Sequence, residues 1–293
     1  MASYAMESTH DISMSSAVEQ MTFKGQDYVC QGTGRNPMTG EKFQWIMLND
    51  GHGNNTCINF IRSIPQEKKD ELIGNVATIH ALAEYIDHGA GIPSWESSGA
   101  TCVIVKCYND RVECISAGDS QFIVFKNGEL SYISKEHNCQ NEDERQRLTE
   151  KGYSFISSSN IKVVSETTLT STESGYACFP NGHRLACTQA LGHNSNTGYD
   201  PETYTFSLSS GDTYRVVLGS DGLYDMTMLD DPRDIQDLLT KTSQELCNKT
   251  VNRWLQEWEA RLPNQEPQKF KYQRHDCDDV SVATIDINPL LPV

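Results

Sequence analysis

The sequence predicts an α+β protein in which antiparallel strands pack with helices. Apolar runs of strand length end in tight turns, and Asn127-Gly128 is a strong signal for a hairpin. Between residues 65 and 87, apolar side chains recur three and four positions apart, which indicates an amphipathic helix. A chain of 293 residues is long enough to bury a substantial core, and we expect a single domain.

The charge balance disfavours several classes of partner. Lys and Arg number 24 against 40 Asp and Glu, which gives a formal net charge of −16. Nucleic acids and anionic membranes both require clustered positive charge, so we expect neither as a partner. No apolar stretch approaches the roughly 18 residues that span a bilayer, and the first residues do not resemble a secretory signal. The ten cysteines contain no Cys-x-x-Cys pair, and we expect reduced thiols in a monomeric cytoplasmic protein, with the nucleus as another compatible compartment.

The first half of the chain is predicted to be rich in strands. Residues 1–20 are expected to form a loosely ordered tail, although part of it could add a strand. The clearest strand signal is Trp45-Ile46-Met47-Leu48, an apolar run that leads into Asp50-Gly51-His52-Gly53. The other predicted elements are, in order, a β-prone run after Asp27, a short helix near residues 57–64, the amphipathic helix over 65–87, and hairpin strands from 102 to about 134.

The second half of the chain is less regular. Residues 153–211 are rich in Ser, Thr, Asn and Gly, and we expect a loop-rich insert or flap with short strands. The remaining predicted elements are, in order, a short helix capped by Asn141 with Glu144, a buried strand over 215–218, one broken helix or two from Asp231-Pro232 to Leu262, a polar connection with Lys269, Lys271 and Arg274, and a last strand over 280–287.

Aspartates lie at the ends of several strand-like runs. Asp50, Asp221 and Asp278 adjoin apolar runs, and Asp27 and Asp119 occupy similar junctions. Any one of them could simply cap a turn. If the junctions meet at one edge of a sheet, however, the carboxylates concentrate negative charge that a hard divalent cation would offset. We therefore predict a metal site at that edge.

Seven short motifs, in order along residues 20 to 288, resemble a known family. They are Gly25-Gln26-Asp27, Asp50-Gly51-His52-Gly53, Ser98-Gly99-Ala100-Thr101, Ala117-Gly118-Asp119-Ser120, Leu185-Ala186-Cys187-Thr188-Gln189-Ala190-Leu191-Gly192, Gly219-Ser220-Asp221-Gly222-Leu223-Tyr224-Asp225 and Asp278-Asp279-Val280-Ser281-Val282. With these motifs the chain resembles the metal-dependent protein serine/threonine phosphatases of type 2C, the PPM family. The resemblance implies a four-layer αββα sandwich, with two central antiparallel sheets flanked by helices, and a catalytic domain over residues 21–293.

The resemblance also implies a site for two Mn²⁺ or Mg²⁺ ions and a weaker third ion. In this resemblance Asp50 bridges the two ions, the carbonyl of Gly51 binds one of them, and Asp221 and Asp278 bind the other. Asp27, with Gln26, contacts the ions through metal-bound water. Asp119 and Asp225 form the site of the third ion.

The implied reaction is hydrolysis of phosphoserine or phosphothreonine in a phosphorylated protein substrate. Such dephosphorylation would place the protein in signalling. A hydroxide that bridges the metals would attack phosphorus, because bound metals lower the pKa of water. His52 would protonate the leaving serine or threonine oxygen. The phosphate-binding arginine that the family usually has before the acidic pair is absent, and Lys24 is the nearest cation that could replace it.

Other positions also depart from the family pattern. Gln121 and Gln189 stand where arginines are expected, and His193 stands where an acid is common. Because the central metal aspartates are all present, we interpret the chain as a divergent active enzyme. Two alternatives stay open: a catalytically inactive phosphatase-like scaffold that binds a protein partner, and a metal-dependent hydrolase of another small phosphate ester.

Overall fold

The computed structural model describes residues 10–89, 97–179, 182–263 and 265–290. Within these ranges the strands are β1 (His10–Glu19), β2 (Asp27–Arg35), β3 (Lys42–Gly53), β4 (Ser98–Ala100), β5 (Cys102–Cys107), β6 (Arg111–Ala117), β7 (Gln121–Lys126), β8 (Glu129–Ile133), β9 (Ser154–Ser165), β10 (Thr168–Cys178), β11 (Arg184–Leu185), β12 (Leu191–Gly192), β13 (Glu202–Ser207), β14 (Tyr214–Gly219), β15 (Trp258–Arg261), β16 (Gln268–Phe270) and β17 (Val280–Pro289). The helices are α1 (Thr56–Ser63), α2 (Gln66–Gly74), α3 (Thr78–Gly89), α4 (Glu142–Glu150), α5 (Asp221–Tyr224), α6 (Pro232–Thr240) and α7 (Ser243–Leu255).

Two antiparallel sheets lie face to face at the centre. The β14 sheet has the order β1-β17-β14-β7-β8, and the β3 sheet has the order β12-β4-β3-β5-β6-β13 with β2 beside β3. Helices α1, α2 and α3 cover the outer face of the β3 sheet, whereas α6 and α7 cover the outer face of the β14 sheet. The predicted α+β class and the four-layer αββα sandwich are confirmed.

Strand β3 explains why its sequence is a continuous apolar run. Trp45 and Met47 pack on the helix side of the sheet, and Ile46 and Leu48 pack between the two sheets. Successive side chains of a strand alternate between faces, so a strand that is buried on both faces has apolar residues at every position. The buried run ends at Asp50, which is partly exposed.

Residues 10–19 form an ordered strand. β1 pairs along its whole length with β17, from His10 opposite Pro289 to Glu19 opposite Val280. The predicted loosely ordered tail is therefore wrong for residues 10–19, which form the strand that the expectation allowed for part of the tail. Residues 1–9 lie outside the described residues. β1 is an edge strand with many exposed side chains, so its sequence has little apolar content to indicate a strand.

The segment over residues 153–211 is also more regular than the predicted loop-rich insert. β9 and β10 form a long antiparallel hairpin, and β10 also pairs in parallel with β15. Most side chains of β9 are exposed or half-buried. The hairpin therefore lacks the apolar alternation by which a strand is usually predicted, and backbone pairing rather than burial defines it.

The helix predicted over residues 65–87 is two helices, α2 and α3. The backbone of Asn75 is extended, with ψ 144°, so α2 ends there. The Asn75 side chain then accepts a hydrogen bond from the Ala77 amide at 2.9 Å. Asparagine favours such turns because its side chain competes with the helix for backbone groups.

The last helical region is shorter than predicted. α7 ends at Leu255, and Trp258 is fully buried from strand β15. The caps predicted at Asn141 and Asp231 are confirmed, because both side chains accept hydrogen bonds from backbone amides of the first helical turn. Glu144, predicted to complete the cap with Asn141, instead accepts hydrogen bonds from Arg147, Thr188 and Gln189. In the described ranges, none of the helices has both the length and the apolar character needed to cross a membrane.

A buried ion-pair network fastens α7 to the turn that follows β14. Arg253 binds the carboxylate of Asp234 at 2.6 and 2.9 Å and donates to the carbonyl of Met226 at 2.6 Å. The next residue, Trp254, donates its indole N–H to the carbonyl of Gly222 at 2.8 Å. Removal of Arg253 or Asp234 would leave a buried charge unpaired, which is strongly destabilising. The bonds to the carbonyls of Met226 and Gly222 then hold the turn that contains Gly222 against α7.

Candidate metal centre

Most of the predicted site residues line one cleft of about 490 Å³; Asp27 lies beside it, opposite Asp50, and Asp225 lines a neighbouring cavity. Asp50 and His52 enter it from the end of β3, Asp221 from the start of α5, and Asp278 from the segment before β17. These elements belong to both central sheets, so the cleft lies at an edge that the two sheets share. The fold thus brings the predicted aspartates together, and their roles as metal ligands stay predictions.

Asp27 and Asp50 lie directly opposite each other on neighbouring antiparallel strands. Like charges at directly opposite positions destabilise a sheet. The backbone around them is nevertheless fixed: the Asp50 amide donates to Oγ1 of Thr101 at 3.1 Å, and the Gly51 amide donates to the carbonyl of Gln26 at 3.1 Å. A positive charge in the cleft would offset this repulsion.

Burial adds to the repulsion between these carboxylates. Asp27 is only 2% exposed, and neither of its carboxylate oxygens has a hydrogen-bond partner in the described chain. Burial is the main cause that raises the pKa of Asp27 to about 7, and the charges of Asp221 and Asp279 add to it. Burial and the charges of Asp221 and Asp27 raise the pKa of Asp278 to about 9. The pKa of Asp50 is raised by burial and by Asp221 and Asp27. These groups therefore keep their protons to a higher pH than ordinary aspartates, and a bound cation would favour their ionised forms.

The available donors fit a hard divalent cation that keeps part of its water shell. Carboxylate and carbonyl oxygens are the ligands that Mg²⁺ and Mn²⁺ prefer. In the described ranges, no three acidic, histidine or cysteine side chains stand close enough to hold an ion by themselves. An ion here would bind one or two carboxylates, a carbonyl such as that of Gly51, and water, as Mg²⁺ often does. Both oxygens of Asp27 and one oxygen of Asp221 have no hydrogen-bond partner in the described chain, and they could coordinate the ion or accept a hydrogen bond from its water.

A second group of carboxylates borders the cleft. Asp119 and Asp221 line both the cleft and a smaller cavity of about 100 Å³, whose wall also includes Asp225 and Glu136. Burial, followed by repulsion from Asp221, raises the pKa of Asp119, Asp225 and Glu136. The structure thus brings together the two residues of the predicted third-ion site. It adds Glu136, which the sequence analysis missed because no apolar run ends beside it.

His52 pairs with a second histidine in the cleft. The Nε2 atoms of His52 and His193 lie 2.8 Å apart, and the two rings stack with centroids 4.9 Å apart. Gly99 permits this contact, because a Cβ there would lie 2.3 Å from Nε2 of His193 and 2.7 Å from Nε2 of His52. The Sγ of Cys187 lies 3.7 Å from Nε2 of His52.

This environment makes His52 a weak base. Burial, followed by repulsion from His193, lowers the pKa of His52 to about 3. His52 is therefore neutral at pH 7 in the free protein. The sequence analysis noted His193 only as a departure from the family pattern, since no local pattern links two residues so far apart in the chain.

A lysine and an arginine at the cleft differ in their partners. The ammonium of Lys24 donates to the carbonyl of Gly53 at 2.7 Å, and Gly53 lines the cleft. Arg184 lines the cleft directly, and its guanidinium makes no ion pair or hydrogen bond with any residue in the described ranges. The sequence does not single out Arg184, because this residue lies in the segment predicted to be loops.

Two glutamines that replace family arginines have structural partners. Gln121 donates to the carbonyl of Ser134 at 2.7 Å, and Gln189 donates to the carboxylate of Glu144 at 2.9 Å. Both glutamine side chains are buried. Neither residue lines the cleft, so they stabilise loops around the site rather than bind a ligand in it.

A larger cavity of about 800 Å³ lies near the opposite end of β3, where Lys42 and Phe43 line it. Its acidic residues include Asp70, whose carboxylate already accepts hydrogen bonds from Trp45 at 2.8 Å and from Gln66 at 3.0 Å. Asp50, the histidine pair, Asp221 and Asp278 all line the smaller cleft. Chemistry rather than size therefore identifies the candidate site.

Comparison with known proteins identifies a family. The family model described as protein phosphatase 2C matches residues 50–257. A search of curated proteins found no match.

Solved structures resemble the chain over most of its length. The S. agalactiae serine/threonine phosphatase is 17% identical, with 94% of this chain and 98% of that chain covered and a TM-score of 0.53. A C. elegans sex-determining protein is 19% identical, with 96% and 65% covered and a TM-score of 0.57. The catalytic domain of the serine/threonine phosphatase PstP, in complex with two manganese ions, is 16% identical, with 96% and 100% covered and a TM-score of 0.52. At such identities the likeness shows the fold alone.

We predict that the metal-free protein loses stability between about pH 7 and pH 9. Asp278 has a pKa of about 9 in the fold, whereas an aspartate in an unfolded chain ionises near pH 4. In this window the folded state therefore keeps a proton that the unfolded state has lost. Stability must fall as the pH rises, by up to roughly 1.4 kcal/mol per pH unit for each such group. Urea unfolding in the presence of a chelator measures this.

The variant Asp278→Asn is the matched control, because it keeps the shape of the side chain but cannot titrate. It should flatten the fall in the free energy of unfolding. Added Mg²⁺ should oppose the fall in the wild type, since the ionised site binds the ion. A wild-type free energy of unfolding that stays constant or rises from pH 7 to pH 9 would contradict the raised pKa.

Proposed function

Since the chain belongs to the protein phosphatase 2C family of metal-dependent serine/threonine protein phosphatases, we propose that it hydrolyses phosphoserine and phosphothreonine in protein substrates with Mn²⁺ or Mg²⁺. The observation that carries this proposal is the placement of Asp27 opposite Asp50. These two acidic groups, with Asp221 and Asp278 nearby, place several carboxyl groups close together, and burial and mutual repulsion raise the pKa values of Asp27, Asp50 and Asp278. Bound cations would favour the ionised carboxylates and offset their charge, so that a phosphate ester could enter.

The chain's own residues have distinct roles in this proposal. Asp50, Asp221 and Asp278 bind the ions, with the Gly51 carbonyl as a further ligand, and Asp27 orients bound water. When bound, the ions supply an acidified water as the nucleophile and offset the charge of the phosphate. The PstP structure that the chain resembles contains two manganese ions, which supports a two-ion site here. Asp119, Asp225 and Glu136 form a weaker site for a third ion.

His52 is proposed as the general acid for the leaving oxygen. Its low pKa in the free protein means that it must gain a proton when a substrate binds. A phosphate dianion in the cleft would raise the pKa of His52, because an opposite charge nearby favours the protonated form. The contact with His193 holds the ring in one orientation. In this role His193 is a positioning residue.

Arg184 is proposed to bind the phosphate group of the substrate. It is a guanidinium in the cleft without a partner in the described part of the chain, and guanidinium groups bind phosphate through paired hydrogen bonds. Lys24, predicted from the sequence for the same role, already donates to a carbonyl at the rim. We propose that Lys24 assists Arg184 from the rim. The predicted monomeric state and cytoplasmic location stay predictions.

Activity is expected to require Mn²⁺ or Mg²⁺, and Asp50→Asn should reduce it most. A chelator should abolish release of phosphate from a phosphothreonine peptide, and excess Mn²⁺ should restore it, because water is a poor nucleophile at neutral pH without metal. Asp50→Asn should weaken ion binding as measured by isothermal titration calorimetry. Full activity of metal-free protein would refute the proposal, and turnover of nucleotides but not of the peptide would favour a small-ester hydrolase.

The acid role of His52 is tested by the leaving group. Serine and threonine oxygens need a proton to leave, whereas nitrophenolate does not, so His52→Ala should slow phosphopeptide hydrolysis by roughly 10² and p-nitrophenyl phosphate hydrolysis far less. His193→Ala should give the same pattern with a smaller loss. Cys187→Ser is the control for disturbed packing around His52. Equal losses on both esters, with weaker Mn²⁺ binding, would show that His52 only supports Asp50.

The phosphate-binding role of Arg184 is tested against that of Lys24. Arg184→Ala should raise KM about tenfold for both esters and weaken inhibition by inorganic phosphate similarly, because a charged hydrogen bond is lost. Arg184→Lys should restore part of the affinity, since a lysine keeps the charge but not the paired donors. Lys24→Ala should raise KM by a smaller factor. If Arg184→Ala leaves KM and phosphate inhibition unchanged, the ions alone bind the phosphate.

A further inference from the structure

The loop between β1 and β2, residues 20–26, exposes a phenylalanine beside the cleft. Phe23 is 93% exposed. A single exposed apolar side chain is ordinary on a protein surface. Met38 is also highly exposed, at 79%, but it lies in the turn before β3, at the opposite end of that strand from the cleft. Phe23 differs from Met38 in how its backbone is held and in where it lies.

One buried carboxylate, that of Asp279, binds the backbone of the loop that carries Phe23. Asp279 accepts hydrogen bonds from the backbone amides of Met21, Thr22 and Gln26, each at 2.7 Å. It also accepts one from the hydroxyl of Thr22 at 3.1 Å. Asp279 is the neighbour of the cleft residue Asp278. The loop is therefore fixed relative to the candidate metal centre.

The carbonyl groups of the same loop, and that of Asp27 just after it, accept hydrogen bonds from two side chains. Arg62 of α1 donates to the carbonyls of Gly25 and Asp27 at 2.7 and 3.0 Å, and Asn55 donates to the carbonyl of Lys24 at 3.0 Å. A loop bound through both its amides and its carbonyls has few alternative conformations. The backbone that presents Phe23 is thus held in place, so a partner that binds the ring need not order the loop.

Phe23 lies at the rim of the cleft. The adjacent Lys24 donates to the carbonyl of Gly53, which lines the cleft. On its other side the ring of Phe23 stacks on that of His275, with centroids 5.7 Å apart and planes 20° apart. His275 precedes the cleft residue Asp278 by three positions. The two stacked rings therefore present exposed aromatic surface beside the opening.

We propose that Phe23 and His275 bind the peptide segment next to the phosphorylated residue and favour an apolar side chain in that segment. The inference rests on the proposed function, because it supposes that a phosphorylated residue enters the cleft. A peptide with its phosphate in the cleft must cross the rim. There Lys24 matches the negative charge of the phosphopeptide, and the stacked rings offer an apolar contact. The established family chemistry alone does not require such a preference.

The test measures binding and turnover with the Mn²⁺-loaded protein. The probes are phosphothreonine peptides with serine at the two positions before and after the phosphothreonine, and variants in which leucine replaces one serine at a time. Non-hydrolysable phosphonate versions, labelled with fluorescein, give Kd by anisotropy, and the phosphate esters give kcat/KM. One leucine peptide should bind about tenfold more tightly than the serine peptide, as expected for one central apolar contact.

Phe23→Ala should remove this leucine preference, Phe23→Leu should retain most of it, and the control Met38→Ala should keep it in full. The effect of Phe23→Ala on p-nitrophenyl phosphate should be much smaller, because this ester carries no peptide to reach the rim. A wild-type protein with no leucine preference, or a preference that survives in Phe23→Ala, overturns the inference. If leucine-dependent binding requires Phe23 but no peptide is hydrolysed, the docking surface stands and the proposed phosphatase reaction fails.

Discussion

Repulsion between carboxylates that the fold forces together is the constraint on which the rest of this structure depends. Asp27 and Asp50 are opposite each other because β2 pairs with β3 in one register. That register is held by nine paired residues, from Asp27 opposite Asp50 to Arg35 opposite Lys42, and by the hydrogen bond from the Gly51 amide to the Gln26 carbonyl. The strand pairing thus holds the two carboxyl groups close together although their charges repel. A cation is the simplest way to stabilise that arrangement.

Neutral and charged groups away from the cleft hold the backbone that presents the carboxylates. Thr101 binds the Asp50 amide, Trp254 binds the carbonyl of Gly222 beside Asp221, and Asp279 binds the loop that leads to Asp27. These partners come from different elements of both sheets and of α7. Without such contacts the repelling groups would move apart. The same contacts fix the donors before an ion or a substrate arrives, and such pre-organisation makes electrostatic stabilisation effective.

The charges of the cleft favour binding of cations before binding of a phosphate. Its carboxylates, once ionised, would repel a phosphate unless cations are bound, and Arg184 is the one arginine that lines the cleft in the described chain. His52 is neutral before a phosphate enters, because burial and His193 disfavour its protonated form. A phosphate would reverse that preference by bringing negative charge. The two histidines and the arginine would therefore act on a phosphate that the cations have first attracted.

The sequence by itself determined the α+β class, the hairpins, most helices and the aspartates at strand ends, because apolar periodicity and turn residues are local signals. It did not reveal β1 or the β9–β10 hairpin, whose side chains are largely exposed and whose strands are defined by backbone pairing. Only the tertiary structure brought His193 to His52, Glu136 to Asp119, and Arg184 into the cleft. In each case the residues that meet are separated in the chain. Their contacts depend on how the sheets and loops pack, and no local pattern records that packing.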